Sequence, residues 1–262
     1  MSGSLVAIWL SALRGKCLVR LDEHYVNPRL ARIYDSCSGW SSDRDFYLSL
    51  AGRDPKKILE LGAGTGLISR RLVQLGHKVT AADPSEAMLD FGRGQSGGEE
   101  VRWVNATAQN FSEHETYDYV FMTGHAFQIF LTDEDIATAL TTVRTHLAKG
   151  GLFAFESRNP GFDWTAVWNS VKDLETPEGP VRRNSQMLSY ANQILEFDQE
   201  YVFDDESIVS KSRLRFASCE DLQGMLRAAG FHVDELYGAW DRSAFTGTSR
   251  EMVFLARHRN TS

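Results

Sequence analysis

The chain has 262 residues, 42% hydrophobic and 24% charged, which suits a globular protein with a real core, one α/β domain with an insertion or small lid. Its 35 acidic residues outnumber 28 basic ones for a net charge of −7. That balance argues against nucleic acid as a partner, because phosphate contacts need a basic surplus.

Cys17, Cys37 and Cys219 are scattered outside any Cys-x-x-Cys spacing. No disulfide framework or zinc site follows; reduced thiols in a cytoplasmic protein are expected. The first apolar stretch, 5–13, is too short to span a bilayer. Arg14, Lys16 and Arg20 follow it rather than precede it, unlike a secretory signal, so a peripheral helix or leader is expected and no membrane partner. Residues 1–50 read as helical and aromatic-rich, with Tyr25, Tyr34, Trp40, Phe46 and Tyr47, and end in a turn cluster at 52–55.

A βα alternation follows. Short apolar runs at 58–61, 79–82, 101–104, 119–122 and 152–155 suit buried parallel strands. Between them, Ile68, Leu72 and Leu75 share one helical face, and Ile136, Leu140, Val143 and Leu147 share another. Thr132 is placed as an N-cap, with Asp133, Glu134 and Asp135 in a first turn that favours negative charge. The alternation implies a mostly parallel sheet with helices on both faces. Residues 158–186 read as loop, carrying Pro160, Pro177 and Pro180. Over 187–216 the period becomes two, with Leu195, Phe197, Tyr201 and Phe203 alternating with acidic residues, so an inserted antiparallel hairpin is expected. Ser218 and Asp221 suggest a capping box, and 231–237 and 252–256 two closing strands.

The densest chemical signal is the run Glu60-Leu61-Gly62-Ala63-Gly64-Thr65-Gly66, after a strand and before a helix. Glycines there let the backbone turn sharply and lay its amides against a ligand. Asp83 ends the next strand about 20 residues on, where an acid can take a ribose hydroxyl pair. No Gly-Lys-Ser/Thr follows the turn, which excludes a phosphate loop. A tight turn without a ligand is the bland alternative.

The stretch from about 30 to 258 resembles the class I S-adenosylmethionine-dependent methyltransferases. Leu59 to Gly66 is similar to their first motif and the Ala82-Asp83-Pro84-Ser85-Glu86-Ala87-Met88-Leu89 run to their second. The resemblance implies a Rossmann-like, seven-stranded, mostly parallel sheet and S-adenosylmethionine as cofactor. It places Glu60 at the methionine amino group through the loop of Gly62, Ala63, Gly64, Thr65 and Gly66. It places Asp83 at the ribose with Pro84 beside it, Met88 against the adenine, and Tyr34 of the N-terminal segment at the cofactor. The family's third motif has Asp-Ala; here the matching pair is Thr107-Ala108, then Gln109, with Asn105 as the alternative partner for the adenine amino group. The segment 118–128, Thr123 included, is similar to the loop that reaches the transferring methyl.

His125 lies in that loop and is the expected general base, a structural histidine being the alternative. Arg158 and Asn159 follow the fifth strand, then Trp164 and Trp168. Arg158 is expected to clamp an acidic group on the acceptor. Trp40, Phe127, Asn159 and the two tryptophans are expected acceptor contacts, with a plain core face as the alternative for the tryptophans. No His/Cys/Asp cluster has metal-ligand spacing.

The expected organisation is an N-terminal helical cap over 1–50, a cofactor-binding core over 51–157, a loop and hairpin lid over 158–217, and completion of the core over 218–258. The expected activity is methyl transfer to an O or N atom of a small metabolite, by a monomer or homodimer. The rivals are a non-catalytic binder of S-adenosylmethionine, acting as a regulator or partner subunit, and a methyltransferase acting on protein or RNA. A nicotinamide dehydrogenase is disfavoured by the loop spacing.

Overall fold

The structure is a computed structural model and describes residues 21–258. The apolar stretch 5–13 and Cys17 lie outside the described residues. Helices α1 (Glu23–Val26), α2 (Pro28–Ser38) and α3 (Ser42–Ala51) come first. The alternating part then runs β1 (Lys57–Leu61), α4 (Leu67–Gln74), β2 (Lys78–Asp83), α5 (Glu86–Arg93), β3 (Arg102–Asn105), β4 (Tyr117–Met122), α6 (Asp133–His146) and β5 (Leu147–Arg158). After α7 (Thr165–Trp168) come β6 (Ser170–Thr176), β7 (Gly179–Ala191), β8 (Ile194–Val202) and β9 (Ser207–Arg215). The described chain closes with α8 (Cys219–Ala228), β10 (Phe231–Tyr237) and β11 (Glu251–His258).

The large sheet has the order β3-β2-β1-β4-β5-β11-β10. Strands β1 to β5 run parallel, and β11 is antiparallel to both of its neighbours. Its central strands are buried on both faces, which is why their runs are continuously apolar. Leu59, Val120, Phe155 and Phe254 point into a layer shared with Ile136, Leu140, Leu222 and Leu226. Ile58, Phe121, Ala154 and Val253 point the other way, toward Phe46, Tyr47, Ile68 and Leu72. Both expected N-caps form as reciprocal capping boxes, Thr132 with Asp135 and Ser218 with Asp221.

The insertion differs from the sequence expectation. It is a four-stranded antiparallel sheet, β6-β7-β8-β9, not a hairpin after a loop. Residues 170–191 contribute two strands there. Their sequence, rich in Lys, Arg, Asp, Glu and Ser, lacks a clean apolar alternation, and Pro177 and Pro180 suggest a loop. Pro180 is accommodated near the start of β7, where a strand tolerates proline best. Asn192 and Gln193, both at positive φ, make the turn from β7 to β8.

Helix α2 packs on the inner face of this small sheet through Leu30 and Ile33, against Val181, Tyr201, Phe203 and Ile208. Burying each aliphatic side chain contributes about 1.5–3 kcal/mol. The partly exposed Arg32–Glu178 pair at 2.6 Å contributes at most about 1 kcal/mol. Apolar contact therefore holds the cap to the insertion.

Candidate functional site

The glycine turn sits at the C-terminal edge of β1. Gly62, Gly64 and Gly66 all have positive φ. A Cβ on Gly62 would lie 2.9 Å from Ala126 Cβ, and one on Gly66 would lie 2.3 Å from the Trp103 ring. Glycine is therefore required at both places, by backbone angle and by close approach. The amides of Gly62 and Ala63 donate to Ala82 O, tying the turn to β2.

At the end of β2, Asp83 accepts from the amides of Gly64 and Ser85, both at 2.8 Å. Burial pushes its carboxyl up to about 6, against the pull of those two donors. Ser85 Oγ accepts from Met88 N, capping α5, and donates to Tyr25 O at 2.5 Å. Met88 is buried behind it. Tyr34 closes the turn from the cap: its ring edge is 3.8 Å from where a Gly64 Cβ would stand. Asp35, next in α2, accepts from Thr65 Oγ1 at 2.5 Å and from Arg70 at 2.6 Å. Glu60 is buried under the turn, accepts from Ser69 Oγ at 2.5 Å, and is pushed up to about 8 by burial.

Glu60, Gly62, Ala63, Gly64, Thr65, Gly66, Asp83, Pro84, Met88 and Tyr34 thus converge on one crevice at the strand ends, where open α/β sheets take ligands. Its acids and its side-chain-free turn fit a ligand with a ribose diol and an amino group. Further along the same edge, Thr107 and Asn110 bond to each other reciprocally, and Ala108 is buried. Gln109 leaves Oε1 buried without a partner. Asn105 is held by Pro84 O and Glu86. Thr123 accepts from Ala126 N in the loop after β4.

A cavity of about 170 Å³ adjoins the crevice. Tyr25 and Tyr34 line it from the cap, Gly124 and His125 from the loop after β4, Arg158 from β5, and Arg183, Phe197 and Gln199 from the small sheet. His125 is left-handed at φ 61°. Its amide donates to Glu156 Oε1 at 2.7 Å, and its Nε2 lies 2.8 Å from Glu251 Oε2. Burial lowers its pKa, Arg158 adds to that, and Glu251 opposes it. Glu156 also accepts from the Tyr47 hydroxyl and is pushed up to about 8 by burial. Arg158 donates to Gln128 Oε1 at 2.9 Å, and its guanidinium stands 5.1 Å from the Trp168 ring centroid. Burial lowers its pKa to about 10.

Of the expected acceptor contacts, only Arg158 and Trp168 line the cavity. Phe127 belongs to the core, stacked on Phe155 at 4.2 Å. Asn159 ties down the 247–249 turn through Gly247 O and Ser249 O. Trp164 is buried and donates to Asn159 O. Trp40 is 47% exposed and donates to Asp45. An aromatic or polar residue beside a motif is not thereby in the site; neighbouring packing took these four. Sequence reasoning missed His24, Tyr25, Arg183, Glu156 and Glu251. Glu156 and Glu251 left a trace, each being a lone acid at the end of an apolar strand run.

Among the described residues, no cluster of His, Cys, Asp or Glu is arranged to hold a metal, and no helix is long and apolar enough to cross a membrane.

A methyltransferase-domain profile matches residues 58–151. The cypemycin N-terminal methyltransferase of a Streptomyces species is 22% identical over 77% of this chain and 83% of its own length. The glycine/sarcosine N-methyltransferase of Aphanothece halophytica is 27% identical over 54% of this chain, which spans 58% of that protein. The CcbJ methyltransferase from Streptomyces caelestis superposes with a TM-score of 0.71 at 23% identity, covering 86% of this chain and 95% of that one; at that identity it speaks for the fold alone. The matched stretch opens in β1 and runs through the glycine turn and Asp83 into β5. Residues 58–151 therefore carry a methyltransferase domain similar to those of the class I S-adenosylmethionine-dependent enzymes, with S-adenosylmethionine as its cofactor.

Proposed function

We propose that the chain methylates an O or N atom of a small metabolite held in the cavity of about 170 Å³ beside the glycine turn. The observation that carries this is the sharing of Tyr34 between turn and cavity, with His125 on the cavity wall. The small volume favours a small acceptor over a protein or RNA strand, which needs a long groove. The names of the relatives, a cypemycin N-terminal methyltransferase and a glycine/sarcosine N-methyltransferase, agree with a nitrogen acceptor.

Bound S-adenosylmethionine supplies an electrophilic methyl group on its sulfonium. Asp83 would take the ribose hydroxyls, Glu60 would support the methionine amino end through the loop, Met88 would pack by the adenine, and Thr107, Ala108 and Gln109 would meet its edge. Thr123 and Gly124 border the reacting end. The pocket walls would hold the acceptor beside the donor's reacting end and exclude water. His125 accepts the acceptor's proton. With its Nε2–H given to the Glu251 carboxylate, a neutral imidazole keeps its lone pair at Nδ1. The lowered pKa keeps it neutral near pH 7. The proposed assembly is a cytoplasmic monomer or homodimer without a nucleic-acid partner.

The test supplies the protein with isotopically labelled methyl donor and a metabolite pool. One small compound should gain the label. A protein that binds S-adenosylhomocysteine yet labels nothing would be a non-catalytic binder, and label appearing only in protein or RNA would move the acceptor to a macromolecule.

A further inference from the structure

The acceptor cavity holds two guanidinium groups from different parts of the fold. Arg158 ends β5, and Arg183 reaches in from β7 of the inserted sheet. Among the described residues, neither has a carboxylate within the 4.0 Å of an ion pair. Arg158 is bound instead to the neutral amide of Gln128 and lies over the faces of Trp164 and Trp168. Arg183 leaves its Nε buried with no hydrogen-bond partner. Both arginines are half-buried; a partly desolvated cation without an anion is disfavoured, and a buried donor left unmade costs more than a made bond contributes. Both costs vanish when a carboxylate or similar anion sits between planar forks built to grip it.

Other charged and titratable groups surround the cavity. Asp22 is the one carboxylate among the lining residues. His24 is neutral near pH 7, since burial and then Arg183 lower its pKa to about 4. Glu156 and Glu251, which act on Arg158 from beyond the wall, are engaged by His125. Trp168 and Phe197, with ring centroids 4.3 Å apart, give the same cavity an apolar side.

We infer that the methyl acceptor is an organic acid whose carboxylate is gripped by Arg158 and Arg183 while its apolar body rests on Trp168 and Phe197. This deepens the proposed small-molecule methyl transfer and rests on it. The inserted sheet thereby has a chemical role, since it brings the second arginine and makes acid recognition depend on the insertion closing over the core.

Benzoate and benzamide make the probe, alike in shape and different in charge. Each is titrated into protein saturated with S-adenosylhomocysteine, following tryptophan fluorescence, because Trp168 lines the cavity. Benzoate should bind saturably and benzamide about tenfold or more weakly, as expected for charge-assisted hydrogen bonds. Arg158→Met and Arg183→Met should each lose about tenfold or more in benzoate affinity, and Arg183→Lys should recover part of it. S-adenosylhomocysteine affinity should stay within about twofold of wild type in all of them. Equal binding of the two probes, or no saturable benzoate binding, overturns the inference on wild-type protein alone, whatever the variants do. A large loss of S-adenosylhomocysteine affinity in the arginine variants also overturns it, by assigning the pair to the cofactor's own carboxylate. Failure of wild-type protein to bind S-adenosylhomocysteine at all would instead strike the methyltransferase reading.

Discussion

Asp83 is where geometry is most specific for single residues. Its two oxygens are held by the amides of Gly64 and Ser85, so the carboxylate is fixed before any ligand arrives. Asp83→Ala should weaken S-adenosylhomocysteine binding by about 1.5–3 kcal/mol, the range for hydrogen bonds to a charged group, as read by calorimetry. Retained affinity would remove Asp83 from the ribose. His125 is fixed as firmly, by Glu156 at its amide and Glu251 at its ring. His125→Ala should lower turnover about 10²- to 10⁴-fold with cofactor affinity nearly unchanged. Because burial lowers the imidazole's pKa below 6.5, wild-type turnover should hold at neutral pH and fall only in more acidic buffer. Glu251→Gln removes the charge that opposes this lowering, so the acid limb should move to still lower pH. A flat profile in both proteins would mean that positioning, not proton removal, drives transfer. Glu60, the glycines, Asp83 and His125 were legible in sequence because each lies at or just past the C-terminal end of an apolar strand run. Arg183 left no such mark and Glu251 only a faint one, since they reach the pocket and the His125 ring from 58 and 126 positions beyond His125 and only the folded sheets bring them there.

Among the elements, α2 has two partners. Its apolar face lies on the inserted sheet, while Asp35 grips Thr65 and Arg70 of the core. The cap is therefore a strap joining insertion to glycine turn. Asp35→Ala should leave the core intact but loosen that strap. S-adenosylhomocysteine should dissociate faster in stopped-flow measurements, and amides of 28–38 should exchange sooner, with little change in the melting of the large sheet. Unchanged dissociation would make the contact incidental. The βα alternation and both capping boxes could be read from sequence because burial on two faces and cap chemistry leave local marks. Strands β6 and β7 could not. Their outer side chains, Val171, Leu188 and Tyr190 among them, are exposed, so no apolar alternation marks the inner face.

For the whole molecule, buried acids set a pH dependence. Glu60 and Glu156 are raised from 4.5 to about 8, so the folded protein keeps protons that the unfolded chain has released. Stability from these groups is complete below 4.5 and is lost as pH rises toward 8. His24, lowered from 6.5 to about 4, acts oppositely, costing stability as pH falls through that window. Above pH 6.5 the histidine is neutral folded or unfolded, and the glutamates dominate. Cofactor-free protein should melt at lower temperature at pH 8 than at pH 6.5, and Glu60→Gln should shrink that difference; a higher melting point at pH 8 would contradict the assignment. Strand β11 carries a separate consequence. It lies between β5 and β10, pairs Glu251 with Arg158, and is the last element of the sheet to be synthesised. Without residues 251–258, β5 has a bare edge. Until residues 251–258 slide into that gap, His125 has no carboxylate to orient it. The orientation of the His125 ring thus waits on the strand that pairs with β5.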